Sequence, residues 1–225
     1  MINKVPVKKL IEFRRLSEKR KSSFGNKLTI PKETVSNDSG NDYWTRSLSG
    51  LSTAFKQNDN LIIKGRIERI LDVYEDKDDK KTKLMYDRNL NILHNYEDFN
   101  FMILRPSIEL NFLPKPRILI NISGLPIQVI PHQIFSYKEK EEMKVGGIWF
   151  VIWLKEFKES DLGIYSEALY RYLLTNYSKE YVVDPNYCLI VDALSMGTVT
   201  YQQILLGEIA PLLETTIDMV NKHIL

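Results

Sequence analysis

The sequence predicts an α/β fold, in which a mixed central sheet of about five strands is flanked by helices and preceded by a mainly helical N-terminal segment. Within residues 1–100, apolar residues recur at helical spacings of three and four. Residues 117–225 instead contain short apolar runs interrupted by one amphipathic helix. Two of these runs, GGIWFVIWLKEF and YCLIVDALS, are apolar nearly throughout, which is typical of central strands covered on both faces.

The composition indicates a globular protein. A chain of 225 residues, 44% hydrophobic and 27% charged, can bury a sizeable core, and its net charge of +2 indicates no particular partner. The single cysteine, Cys188, lies in an apolar run and cannot form an intramolecular disulfide, so we expect an inert buried thiol and a reducing compartment. The sequence shows neither a signal peptide nor an apolar run of about 20 residues, so we expect a cytoplasmic protein without a membrane partner.

The first predicted helix starts at Pro6 and ends near Phe24, with Leu10 and Phe13 on its buried side. This segment is rich in lysine and arginine, and on one continuous helix Lys8, Arg15 and Lys19 fall within about one quadrant. We predict that these three residues form a nucleic-acid-binding stripe, because a basic face can neutralise several phosphates. The alternative is a solvated helix face without a ligand.

Three more helices are predicted before the sheet, at residues 43–57, 61–74 and 82–96. The stretch after them contains three prolines in residues 106–116, which indicates an extended connector. The sequence therefore divides into a helical N-terminal segment (1–100), a connector (101–116) and an α/β core (117–225).

Single polar residues in these regions have a structural and a functional interpretation. His94 with Glu97 and Asp98 could hold a metal, but their spacing does not impose convergent geometry, so no metal site is predicted. His132 follows a proline with no nucleophile beside it, and we expect a surface histidine. Asp192 ends an apolar strand, where catalytic groups often lie, but a turn before SMG is the favoured interpretation.

The remaining core elements are predicted from apolar spacing. The aromatic residues Trp149, Phe150, Trp153 and Phe157 could stack on bases, but sheet packing is the favoured interpretation. Residues 161–177 form an amphipathic helix, GTVTYQQI is a strand, and the chain ends in a helix whose apolar side contains Ile209 and Leu213.

The motifs I-x-G-x-P at residues 122–126, GGIWFVIWLK, LYRYL and YCLIVD, in this order, resemble the RecB-like branch of the PD-(D/E)XK nucleases. The resemblance covers roughly residues 117–223 and implies a restriction-endonuclease-like fold. In that family an acid on each of two adjacent strands holds Mg²⁺ against the scissile phosphate, and a lysine positions a water or offsets charge.

Carried over to this chain, the motif positions expected to be acidic hold Ile127 and Trp153, and only Lys155 agrees with the pattern. The resemblance therefore implies no intact catalytic set, a vestigial Lys155 and no cofactor. The alternative is an active nuclease that uses Mg²⁺ through acids that have migrated to positions such as Glu156 or Asp161.

The expected function is that of a catalytically degenerate nuclease-like protein that binds nucleic acid or a protein partner. By analogy with similar folds, we expect it to belong to a bacterial antiviral-defence or DNA-processing assembly. A purely structural, protein-interaction subunit is the remaining alternative.

Overall fold

A mixed sheet of five strands forms the centre of the molecule. The computed structural model describes residues 2–30, 43–75, 78–116 and 118–224. Within these residues the strand order is β2-β5-β6-β7-β8, in which β6 and β7 are parallel and the other neighbours are antiparallel. The strands are β2 (Asn111–Phe112), β5 (Gln133–Glu139), β6 (Glu142–Val151), β7 (Val182–Asp192) and β8 (Thr198–Thr200). The predicted fold class is confirmed.

A second, smaller sheet has the order β1-β4-β3 and comprises β1 (Val5–Pro6), β3 (Leu119–Ile122) and β4 (Leu125–Gln128). The sequence assigns β3 and β4 to the same α/β core as the central strands, but within the described residues they form no ladder with the five-stranded sheet. Their turn residues Ser123 and Gly124 both have positive φ, which closes a two-residue hairpin. Strand β1 then pairs with β4, so the small sheet joins the start of the chain to its middle.

Helices cover both faces of the central sheet, giving three layers. One face packs against α3, α4 and α5, and the other against α1, α6, α8 and the small sheet. The helices are α1 (Val7–Arg14), α2 (Glu18–Thr29), α3 (Thr45–Gln57), α4 (Leu61–Tyr74), α5 (Lys80–Asn95), a 3-10 helix (Phe101–Leu104), α6 (Glu159–Tyr177), α7 (Tyr201–Leu205) and α8 (Leu213–Asn221).

The helices of the first hundred residues are thus distributed over both faces of the sheet. Helices α1 and α2 contact α6 and α8, whereas α3 to α5 contact the opposite face. The predicted connector contains the 3-10 helix and edge strand β2. The predicted division at residues 100–116 into separate units stays a prediction.

The single N-terminal helix predicted from Pro6 to Phe24 is wrong. Helix α1 ends at Arg14, Arg15 has φ −90° and ψ 0°, and Ser17 is extended before α2 begins. The amides of Arg20 and Lys21 donate to the Ser17 carbonyl, so a new first turn starts there. The break changes the direction in which every later basic side chain of this segment points.

Two predicted elements near the C-terminus also differ from the structure. The predicted strand GTVTYQQI keeps only its first part, because the Thr200 amide donates to the Gln203 side chain at 2.9 Å in a reciprocal capping box that starts α7. The predicted final helix begins only at Leu213. Gly207, with φ +77°, follows α7, and Pro211 lies in the irregular segment before α8.

Strand β7 provides a direct test of the central layer. Val191 is 1% exposed and Val182, at the other end of the strand, is 51% exposed. We expect Val191→Asn to lower the free energy of unfolding by about 3 kcal/mol or more, because it loses apolar burial and leaves a buried amide without partners. Urea unfolding measures this, with Val182→Asn as the matched control, expected to change stability little. Full stability of Val191→Asn would show that the strand is misplaced.

Candidate functional site at the carboxyl ends of strands β6 and β7

The carboxyl ends of β6 and β7 lie side by side, since the two strands are parallel and Val151 is paired with Asp192. Residues 152–158 leave β6 at this edge and lead into α6. In open α/β sheets this edge is where ligands usually bind. Asp192 is the last residue of β7, and the predicted Lys155 and the alternative acids Glu156 and Asp161 follow the end of β6.

Arg15 occupies this edge and makes a set of interactions that we call the Arg15 contact. Its guanidinium forms an ion pair with Asp161 and donates to the backbone carbonyls of Lys155 at 3.4 Å and Glu156 at 3.0 Å. It also lies 4.1 Å from the centroid of the Trp153 ring, within the range of a cation–π interaction. The N-terminal segment is thereby fixed to the loop between β6 and α6.

Asp161 is a buried acid just after this loop, with its side chain 7% exposed. It lies in the first turn of α6, and besides Arg15 it accepts a hydrogen bond from the Lys158 amide at 3.0 Å. A carboxylate in a first turn is favoured by the helix dipole, and the guanidinium supplies the opposite charge that burial requires. In the folded chain the Asp161 carboxylate therefore has two structural partners, Arg15 and the Lys158 amide.

Lys155 does not lie on the strand but in the exposed turn after β6. Trp153 is buried, Glu156 is exposed with φ 58°, and Lys155 forms no ion pair with Glu156 among the described residues. Within those residues, no group of three or more His, Cys, Asp or Glu side chains could hold a metal ion.

Ile127 lies on β4 in the small sheet, is completely buried and belongs to the apolar core. The second position that the resemblance expects to be acidic, Trp153, is also a core residue. Both positions therefore contribute packing in this structure. Whether the chain shares the nuclease fold stays a prediction.

Asp192 closes a turn, which confirms the favoured interpretation. Its carboxylate accepts from the Leu194 amide at 3.1 Å and the Ser195 hydroxyl at 2.8 Å, and its own amide donates to the Gly197 carbonyl. A shallow cleft of about 350 Å³ lies between this turn and the Trp153 loop. Nearby, the buried Tyr96 hydroxyl has no hydrogen-bond partner in the described chain, and burial, then the Asp192 charge, raise its pKa.

The predicted stripe of Lys8, Arg15 and Lys19 is not one helix face, because α1 and α2 are separate helices. The Lys8 ammonium donates to the Ile152 carbonyl at 3.3 Å, and burial lowers its pKa. Arg15 faces Asp161. Of the three predicted residues, only Lys19, on α2, is exposed without such a contact. The structure therefore does not bring the three side chains together on one outward surface, while nucleic-acid binding itself stays a prediction.

Helix α2 has a basic outward side that the sequence prediction missed. Its inward side is fixed by Leu28 and by Gly25, where an added Cβ would lie 1.8 Å from the His223 carbonyl oxygen. The outward side carries three exposed cations, which fall within an arc of about 100°. These residues, which we call the α2 basic side, are Lys19, Arg20 and Lys27. The three cations are visible in the sequence, but placing them on one side of a helix requires the correct start of α2.

The other candidate residues have structural partners. The His94 ring contacts Glu97 at 3.2 Å, whereas Asp98 lies 3.8 Å from Lys64, so the three predicted metal candidates do not converge on one point. The aromatic residues pack, as predicted: the rings of Trp149 and Tyr165 lie 4.9 Å apart, and those of Trp153 and Phe157 5.4 Å. Cys188 is buried and its thiol pKa is raised by burial, which confirms the prediction of a buried thiol.

The prediction that His132 is a surface histidine is wrong. The residue is half-buried, its Nδ1 accepts a hydrogen bond from the Phe150 amide at 3.2 Å, and its ring meets the Phe150 ring edge-on. Burial, then the nearby Lys115 charge, lower the pKa of His132 to about 4. The ring is therefore neutral near pH 7, and strand pairing fixes its acceptor nitrogen.

This environment predicts a pH dependence of stability. An unfolded histidine has a pKa of about 6.5, so between that value and about 4 the unfolded chain binds more protons than the folded one, and stability falls as the pH falls. From about pH 7 to about pH 5, we expect the wild type to lose about 2 kcal/mol more than His132→Gln, which keeps an acceptor for Phe150. Urea unfolding measures this difference.

The exposed His94 provides the control for this measurement, and His94→Gln should lose as much stability as the wild type. An equal loss in His132→Gln and the wild type would contradict the lowered pKa.

Comparison with known proteins adds no assignment to this geometry: no protein-family model, no curated protein and no solved structure matches the chain. Among the described residues, no helix combines the length and the apolar character that crossing a bilayer requires.

Proposed function

We propose that the chain is a non-catalytic nucleic-acid-binding protein and that it contacts phosphates through the α2 basic side. The observation that carries this proposal is the exposure of Lys19, Arg20 and Lys27 on one side of α2, without an ion-pair partner among the described residues. Unpaired exposed cations on one side of a helix can each replace a counterion at a phosphate, which is the main source of sequence-independent affinity.

The neighbouring charges support this choice of surface. Glu18, the acid in the first turn of α2, lies 2.7 Å from Lys21 and 3.7 Å from His223, and neither of these residues belongs to the α2 basic side. Lys9 on α1 is paired with Glu12 at 2.6 Å. The described ion pairs therefore leave the charge of the α2 basic side available to a polyanion.

The donor set at the carboxyl edge supports a non-catalytic role. Mg²⁺ takes oxygen ligands, and the two expected acid positions hold the buried side chains of Ile127 and Trp153. Of the two buried acids described at this edge, Asp161 is already paired with Arg15, and Asp192 accepts hydrogen bonds from the Leu194 amide and the Ser195 hydroxyl. A place in a defence or DNA-processing assembly follows only from the resemblance and is part of the proposal.

The proposal predicts salt-dependent binding that depends on these three cations. We expect the wild type to bind single- or double-stranded DNA at low salt, and Lys19→Ala/Arg20→Ala/Lys27→Ala to lower the slope of log K against log salt by about 2–3, since each lost phosphate contact removes about 0.7–0.9. Fluorescence anisotropy across a salt series measures the slope.

The matched control is Lys80→Ala/Lys81→Ala/Lys179→Ala, which removes three exposed cations elsewhere and should leave the slope nearly unchanged. Undetectable binding at low salt, or an equal change in the control, would contradict the proposed surface. Cleavage of the DNA with Mg²⁺ or Mn²⁺ that is lost in Lys155→Ala would instead favour the active-nuclease alternative.

A further inference from the structure

A polar cleft lies between helix α3 and the start of strand β5, outside the site described above. Its volume is about 370 Å³. Helix α3 contributes Ser49, Ser52 and Thr53, and the sheet side contributes Lys115, His132 and Gln133. No described lining residue is acidic, so the cleft carries one positive charge and several neutral hydrogen-bonding groups.

The Lys115 ammonium is fixed at the cleft by two backbone carbonyls. It donates to the carbonyl oxygens of Pro131 at 3.2 Å and His132 at 3.3 Å. An ammonium has three N–H donors, so one remains for a ligand. Lys115 has no ion-pair partner in the described chain, and desolvation of its ammonium lowers its pKa, although the residue as a whole is exposed. An anion in the cleft would provide the missing opposite charge.

His132 supplies a second donor, the N–H group at Nε2. Because the Phe150 amide donates to Nδ1, that nitrogen carries no proton, and the neutral ring must carry its proton on Nε2. No described residue accepts from Nε2. The ring that borders the cleft therefore has an N–H donor available near pH 7.

Ser52 supplies the third donor. Its Oγ accepts from the Gln133 side chain at 2.8 Å, which leaves the hydroxyl proton free to donate. The neighbouring hydroxyls differ, since Ser49 donates to the Arg46 carbonyl at 3.3 Å and Thr53 to the Ser49 carbonyl at 2.8 Å. Three available donors thus come from three separate segments of the chain.

We propose that this cleft binds a small organic phosphate monoester. A tetrahedral phosphate can accept from three donors that approach from different directions, and a lysine binds phosphate as a point charge. A planar carboxylate is matched best by an arginine fork, and the described lining contains no arginine. The volume lies at the lower end of the range of about 300–1,000 Å³ for small-molecule sites, which suits a sugar phosphate.

Isothermal titration calorimetry with ribose 5-phosphate tests the proposal, using the full chain at constant ionic strength, with ribose and malonate as comparison ligands. We expect saturable binding of ribose 5-phosphate and none of ribose. Lys115→Met should weaken binding about tenfold or more, and Ser52→Ala several-fold, because each removes a hydrogen bond to a charged ligand.

Two control variants separate this site from other lysines. Lys80→Met removes an exposed lysine elsewhere, and the triple alanine variant of the α2 basic side removes the proposed nucleic-acid surface; both should bind ribose 5-phosphate as the wild type does. If Lys115→Met fails to fold in a thermal unfolding control, the affinity of Ser52→Ala for ribose 5-phosphate decides the test. The proposal is overturned by no saturable binding at about 10 mM ligand, by malonate binding as tightly as ribose 5-phosphate, or by wild-type affinity in the folded cleft variants.

Discussion

The ion pair between Arg15 and Asp161 is the interaction on which the arrangement of the N-terminal segment depends. Asp161 is nearly buried, and a buried carboxylate is costly unless an opposite charge and hydrogen bonds compensate for lost hydration. Arg15 supplies the charge, and the Lys158 amide supplies a further hydrogen bond. Arg15 lies at the C-terminal end of α1 with non-helical backbone angles, and the chain starts a new helix after Ser17.

This constraint also determines which charges can serve a ligand. In the basic N-terminal segment, Lys8 and Arg15 are directed to backbone carbonyls and to Asp161 at the end of β6. Helix α2, which begins after the break, directs Lys19, Arg20 and Lys27 outward. The Arg15 contact thus occupies part of the sheet edge where ligands usually bind, whereas the surface proposed to contact phosphates lies on α2.

The parts of the fold that depend on local patterns could be predicted from the sequence. Apolar spacing located α3, α4, α5 and α6, and continuous apolar runs located β6 and β7, because these signals lie within each element. The break after α1 could not be predicted, since the hydrogen-bond partners of Arg15 lie 140 to 146 residues away. His132 was assigned to the surface for the same reason: its partner, the Phe150 amide, is determined by strand pairing.

A double-mutant cycle on Arg15 and Asp161 tests this account most directly. Urea unfolding is measured for the wild type, Arg15→Met, Asp161→Asn and the double variant, with Lys9→Met and Glu12→Gln as a matched cycle on an exposed pair of α1. We expect Arg15→Met alone to cost about 3 kcal/mol, because it leaves the buried Asp161 carboxylate without its partner, and the Arg15–Asp161 pair to show a coupling of about 1.5–3 kcal/mol, whereas the Lys9–Glu12 pair should show less than about 1 kcal/mol. A coupling between Arg15 and Asp161 no larger than that of the exposed pair would contradict the account.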